Sequence, residues 1–358
     1  MNRLQVAVVG AGALGRHHAR ILSTLPGVEL VAVAELNETA GRAVAEACQT
    51  RWVPDYRVVA AELDAVVLAT PTSSHHRIAR DLLLAGIDLF VEKPLTASVS
   101  EARELVELAR CDELVLQVGH VERFNPGYVA ARPAIRDPKY IRTERVSPYA
   151  FRSTDIGVVH DMLIHDLDLV LDLVGETPCE VSALGITILG GHEDAVQARL
   201  RFPGGCVADL VANRVSPVTR RTLQAWSPTG CATIDFGTRD AQVFARSPAL
   251  MYGAGPLERA RQPGVNIEAL KAEVFGHWIT VEPLSPQTRD QLTAELLDFE
   301  RACRTREAPQ VDGAAGLRAV EVAEAVLESV AAHQWDGTAT GRIGPQAEPG
   351  QRELRRAG

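Results

Sequence analysis

The hexapeptide Gly10-Ala11-Gly12-Ala13-Leu14-Gly15 follows an apolar run, Gln5–Val9, and opens a helical pattern over Leu14–Leu25. A G-x-G-x-x-G turn in that setting admits few folds. Its first glycine permits a tight turn, its second lets the backbone approach a pyrophosphate, and its third lets helix and strand pack closely. Gly10, Gly12 and Gly15 are therefore expected to shape a phosphate site, with Ala13 and Leu14 at a helix N-terminus whose open N–H groups face the anion. Glu35 lies twenty residues after Gly15, at the end of the second apolar run. A carboxylate there accepts from both ribose hydroxyls and repels a 2′-phosphate, so NAD is the expected cofactor rather than NADP. The bland alternative is a glycine-rich turn beside a solvated Glu.

The pattern around this turn repeats. Strand-like runs Glu29–Ala34, Ala65–Ala69, Asp88–Val91 and Leu114–Val118 alternate with helical patterns Glu38–Ala47, Ser74–Ala85 and Ser98–Ala109. Val- and Leu-rich strands without polar alternation, separated by amphipathic helices, predict a doubly wound parallel sheet covered on both faces. Residues 1–121 are read as this Rossmann domain. Phe124-Asn125-Pro126 and Asp137-Pro138 then punctuate an irregular stretch, followed by one long helix over 157–174. Glu180–Leu189, Ala195–Phe202, Val207–Asn213, Thr222–Ser227, Cys231–Phe236 and Ala241–Ala245 follow as strands with tight turns, which predicts a large, mostly antiparallel open sheet. Residues 122–335, closed by helices over 287–304 and 314–332, form the expected second α/β domain, and 336–358, rich in Gly, Pro and Arg, a mobile tail.

Composition narrows the function. The 37 basic residues face 46 acidic ones, a formal charge of -9, so no global positive field draws in nucleic acid or an anionic membrane. Six scattered cysteines without a C-x-x-C pair read as reduced thiols of a cytoplasmic protein. Met1-Asn2-Arg3 leads straight into the first strand, with no leader expected, and no run of about 18 apolar residues suggests a membrane span.

Only three of the 37 basic residues are lysines, Lys93, Lys139 and Lys271. Generic positive charge here is Arg, which singles out Lys93 in Glu92-Lys93-Pro94, just past the strand Asp88–Val91. Ligands of open α/β sheets bind at that edge. Lys93 is either a catalytic cation or one half of a loop salt bridge. In Val158–Asp172, Asp161, His165, Asp168 and Asp172 are spaced to share one helical face, either the wet side of an amphipathic helix or part of a site. Neither thiolates nor compact His spacing joins them, so no metal is expected.

These marks, in order, resemble the Gfo/Idh/MocA oxidoreductases over nearly the whole chain: the glycine turn, Ala69-Thr70-Pro71-Thr72-Ser73-Ser74-His75, Glu92-Lys93-Pro94 and the Asp161/His165 helix. The resemblance implies a Lys–Asp–His active set on Lys93, Asp161 and His165. It also implies cofactor contacts at Thr70, Pro71, Thr72, His75, Glu92 and Lys93, and an open sheet that assembles a homodimer or homotetramer. Within that family, Val118–Pro126 and Arg152–Val159 look like the branch that oxidises the 3-hydroxyl of UDP-N-acetylglucosamine for a partner aminotransferase in lipid A synthesis. His160 departs from that branch, where an apolar Leu is expected. Arg123 and Arg152 are candidates for the nucleotide-sugar phosphates, with ordinary salt bridges as the alternative. Rival expectations are another sugar or inositol dehydrogenase, one acting on a UDP-sugar uronate, a glycosidase that retains NAD, or a dinucleotide-sensing regulator.

Overall fold

The computed structural model describes residues 3–151, 156–189, 191–285 and 290–333. In chain order the first part runs β1 (Leu4–Val9), α1 (Gly15–Leu22), β2 (Val28–Ala34), α2 (Glu38–Ala47), β3 (Arg51–Val53), β4 (Ala65–Leu68), α3 (His75–Leu84), β5 (Asp88–Glu92), α4 (Val99–Cys111) and β6 (Leu116–Gly119). After it come α5 (Pro126–Ala131), β7 (Tyr140–Val146) and α6 (Ile164–Val174), then β8 (Glu180–Ile186), β9 (Ala195–Arg201), β10 (Val207–Asn213), β11 (Arg220–Ser227), β12 (Gly230–Asp235) and β13 (Ala241–Arg246). The short helices α7 (Pro248–Tyr252), α8 (Pro256–Ala260) and α9 (Ile267–Glu273) precede β14 (Ile279–Leu284), α10 (Gln291–Thr305) and α11 (Gly313–Ala332).

The first sheet is wholly parallel in the order β3-β2-β1-β4-β5-β6, the doubly wound arrangement with its switch point between β1 and β4. Its strands are apolar throughout because each face is covered. Val66, Leu68, Leu89 and Val91 pack with Ile78, Leu82, Leu105 and Val320, whereas Val6, Val8, Val67 and Phe90 pack with Ile21, Leu22, Leu296 and Phe299. Local chemistry starts the helices where the sequence suggests: Asn37 Oδ1 accepts from the Ala40 N–H, and Ser98 Oγ from the Glu101 N–H.

Two compact units result. The first takes in the described residues within Met1–Phe124, Phe151–Asp168 and Arg289–Glu328, and the second those within Asn125–Ala150, Leu169–Thr288 and beyond Ser329. The sequence suggests a single cut after residue 121, but α10 and most of α11 lie in the first unit, where Leu296, Phe299 and Val320 complete its core. The second unit holds an eight-stranded sheet in the order β14-β13-β12-β11-β7-β10-β9-β8, antiparallel except for the β7–β10 pair. The expected tail lies outside the described residues.

The long helix expected over 157–174 is broken. Val159–Leu163 is wound as a π-turn ahead of α6. The expectation of one regular helix is corrected there: Asp161 lies within the wider i→i+5 turn and His165 in the regular helix that follows it. Nor is the polar stripe of Asp161, His165, Asp168 and Asp172 a wet surface: Asp168 is 1% exposed and the other three are half-buried.

Candidate active site

The C-terminal ends of the parallel strands carry the chemistry. Gly10 follows β1 with φ +97°, and a Cβ on it would meet the Ala69 carbonyl oxygen at 2.6 Å. A Cβ at Gly15 would meet the Gly10 carbonyl oxygen at 1.9 Å, so α1 starts close against the turn only because both positions are glycine. Gly12 is different, since a Cβ there meets nothing within 4 Å. Ala13 and Leu14 are exposed, and α1 begins with no side-chain cap on its N-terminal N–H groups. A pyrophosphate fits this open turn.

Glu35, one residue past β2, is half-buried; its carboxylate accepts from the Ala11 N–H at 2.7 Å and the Asn37 N–H at 2.9 Å. It thus stands against the glycine turn, within the first unit, where a ribose diol is read. Thr70 and the exposed Pro71 follow β4, and Thr72 is buried beneath them.

Lys93 follows β5 and joins a cis Pro94. Its ammonium donates to the Asp161 carbonyl oxygen at 2.5 Å and reaches Asp161 Oδ1 at 3.3 Å. The Lys93 side chain is only 12% exposed, so this is an enclosed cation aimed at the π-turn rather than a surface salt bridge. His165 stands in the first turn of α6, half-buried. Sequence reasoning missed His120, just past β6 at the same sheet edge, whose ring lies 6.4 Å from that of His165 at 86°. The signal was the one that exposed Lys93: a polar residue at the C-terminal end of an apolar parallel strand.

Several residues expected at the cofactor or phosphates have protein partners of their own. Glu92, expected at the cofactor, is 6% exposed and paired with His18 Nε2 at 2.7 Å. Its other carboxylate oxygen accepts from the Lys93 N–H at 3.2 Å. His75, also expected there, is 1% exposed, with its ring nitrogens 2.9 Å from the Pro94 and Thr70 carbonyl oxygens. It ties the loop after β4 to the loop that carries Lys93, and burial holds its pKa below the ordinary value, so it is a brace without charge. Arg123, expected on phosphate, is 5% exposed and forked onto Asp168 at 2.7 and 3.0 Å. That enclosed pair leaves its Nε and Nη2 edge committed. Asp172 serves structure too, accepting from Tyr128 at 2.5 Å and from Arg132 at 2.6 Å. Arg152 lies outside the described residues.

A second missed residue is Glu295 of α10. It is fully buried, both carboxylate oxygens have no hydrogen-bond partner among the described residues, and Gln117 Nε2 donates to its backbone carbonyl. Its place on the Leu292–Leu296–Phe299 face marked it in the sequence as a carboxyl turned inward. Burial first, then the nearby Glu92, Asp298 and Asp168, pushes its pKa well above 4.5. Below that value the group is protonated whether folded or not; as pH rises the unfolded chain ionises first, and stability is lost. Glu295→Gln is therefore expected to raise the melting temperature more at pH 8 than at pH 5, by about 2–4 °C. Calorimetry at the two pH values checks it, and an equal offset at both would contradict a neutral Glu295.

The charge-lined groove of the second unit, with Arg142, Glu144, Arg220, Asp235 and Asp240, contains none of these residues. Among the described residues no group of three or more His, Cys, Asp or Glu side chains is placed to hold a metal ion. No helix there is long and apolar enough to cross a membrane.

Comparison with known proteins fits this geometry. Residues 4–120 match the oxidoreductase family with an NAD-binding Rossmann fold, and residues 116–231 match the GFO/IDH/MocA C-terminal domain. The chain is 33% identical to a UDP-N-acetylglucosamine 3-dehydrogenase of Acidithiobacillus ferrooxidans, over 93% of this chain and 99% of that one. A solved structure of that dehydrogenase superposes with a TM-score of 0.80 at 30% identity, covering 92% of this chain and 98% of the other. An inositol 2-dehydrogenase of Rhizobium meliloti is 31% identical over 59% of this chain and 69% of its own. A levoglucosan dehydrogenase in complex with NADH shares the fold, with a TM-score of 0.77 at 19% identity over 92% of this chain and 97% of the other.

Proposed function

Since the chain belongs to the GFO/IDH/MocA oxidoreductases, with their NAD-binding Rossmann domain, we propose that it oxidises the 3-hydroxyl of UDP-N-acetylglucosamine to the 3-keto sugar. The observation that carries the chemistry is the enclosed Lys93–Asp161 contact, with His165 in the next turn, at the sheet edge that also carries the dinucleotide turn. The likeness to the Acidithiobacillus enzyme over nearly the full length of both chains supports the substrate.

Bound NAD supplies the hydride acceptor. The protein must then remove the hydroxyl proton and stabilise the oxygen as its negative charge grows. His165 is the base in this account, imidazole being the side chain suited to proton exchange near neutral pH. Lys93 donates from its ammonium to the reacting oxygen. Asp161 holds that ammonium in place through its carbonyl and carboxylate. Glu35 sets the cofactor choice, because its carboxylate repels a 2′-phosphate; NAD is expected to bind tighter than NADP, and a tighter NADP would contradict this.

The experiment is NADH formation from NAD with UDP-N-acetylglucosamine, free N-acetylglucosamine, myo-inositol and a UDP-sugar uronate in parallel, with a ketone trap or an aminotransferase to draw off product. Signal with the UDP-N-acetylated sugar alone supports the reading. Turnover of inositol alone moves the substrate toward the second reading, which the Rhizobium likeness favours. In the same assay His165→Asn is expected to lower turnover about 100-fold or more. A loss under about tenfold would transfer the base role to Lys93. The reading extends to an aminotransferase that consumes the ketone and to self-association of the chain as a dimer or tetramer, which light scattering of the purified protein tests.

A further inference from the structure

Two nitrogens of His120 lie buried and have no hydrogen-bond partner among the described residues. The residue is 1% exposed. Leaving polar groups buried and unpaired costs stability that a Phe or Leu in the same space would not. The His120 ring packs edge-to-face with that of His165, the ring centres 6.4 Å apart.

We propose that His120 is a positioning residue for His165, a neutral imidazole that orients the base and favours its protonated form. This rests on the reading of His165 as the base. The charges that face His120 oppose one another: Asp168 of α6 and Glu92 of β5 favour its protonation, while Arg123 and Lys93 disfavour it. Burial outweighs them and holds its pKa below the ordinary value, so the ring stays uncharged. A second charged imidazole would repel the positive charge His165 acquires when it takes the hydroxyl proton. A neutral one carries a lone pair and a ring dipole that attract it. No proton leaves His165 for His120 in this account; the effect is on the equilibrium of His165 alone.

The test uses full-length protein with labelled histidine. His165 is titrated by NMR in wild type, His120→Phe and His120→Gln, without substrate, and the acid limb of kcat/KM is measured beside it. Phe keeps the ring and its edge contact but removes the nitrogens. It is expected to lower the His165 midpoint by about one pH unit and to move the acid limb with it. Gln restores an acceptor and is expected to bring the midpoint part of the way back. A wild-type midpoint and limb in His120→Phe would overturn the proposal, leaving His120 as filler. Should the Phe variant not fold, Gln and Asn decide, and an unmoved midpoint in both overturns it equally. A wrong base assignment shows differently, as an acid limb that survives in His165→Asn.

Discussion

Lys93→Met is expected to lower turnover about 100–1,000-fold or more while leaving NAD binding within about threefold. The methionine fills a similar volume but cannot donate a hydrogen bond. The loss falls on the transition state because the ammonium is enclosed, at 12% exposure, where a donor aimed at a developing oxyanion acts in a low dielectric. Asp161 also loses the cation that its carbonyl oxygen and Oδ1 now share. Asp161→Asn keeps a carbonyl group there and is therefore expected to cost less than Lys93→Met. Steady-state kinetics with NAD titrations by fluorescence separate the two effects. Wild-type turnover in Lys93→Met would remove Lys93 from the chemistry.

Arg123→Leu is expected to be the most destabilising of these substitutions, by about 3–5 kcal/mol. Asp168 is 1% exposed, and the bidentate Arg123 fork faces its carboxylate. Removing the guanidinium strands that carboxylate among buried groups, with Glu295 and His120 nearby. Thermal unfolding should show a drop of about 10 °C or more. The double variant Arg123→Leu/Asp168→Leu should recover much of it, since a buried pair replaced by apolar groups of similar size is often neutral. A single variant as stable as wild type would show that the pair is unimportant to the fold.

The parallel sheet was legible because its physics is written locally. β1, β2, β4 and β5 are continuous apolar runs, and the glycine turn, Glu35 and Lys93 each follow one of them. β7 was not legible. It is an interior strand, paired with both β10 and β11, yet its sequence carries Arg142, Glu144 and Arg145 after Asp137-Pro138. The alternation exists: Ile141, Thr143 and Arg145 are buried, and the guanidinium of Arg145 lies 5.5 Å from the Phe236 ring centre. A buried arginine stacked on an aromatic ring hides a strand from any reading based on hydropathy.

At the site, spacing placed Asp161 and His165 on neighbouring turns but could not reveal the π-turn between them, because backbone winding depends on tertiary packing. The role of Arg123 was hidden for a related reason. Its partner Asp168 lies 45 residues along the chain, and no local pattern distinguishes an arginine that meets a phosphate from one that meets a buried carboxylate. Glu92 ends β5 and His75 opens α3, and no local pattern announces their partners, His18 and the Pro94 and Thr70 carbonyls.

The central claim is that the hydride comes from C3 of the sugar, drawn off while the 3-hydroxyl gives up its proton beside Lys93 and His165. The most direct measurement is a single-turnover reaction of the protein and NAD with UDP-N-acetylglucosamine deuterated only at C3, followed by mass analysis of the nicotinamide product. The account predicts that the reduced cofactor carries the deuterium and that its formation slows relative to unlabelled sugar. Reduced cofactor without the label would contradict it, placing the oxidised carbon elsewhere on the substrate.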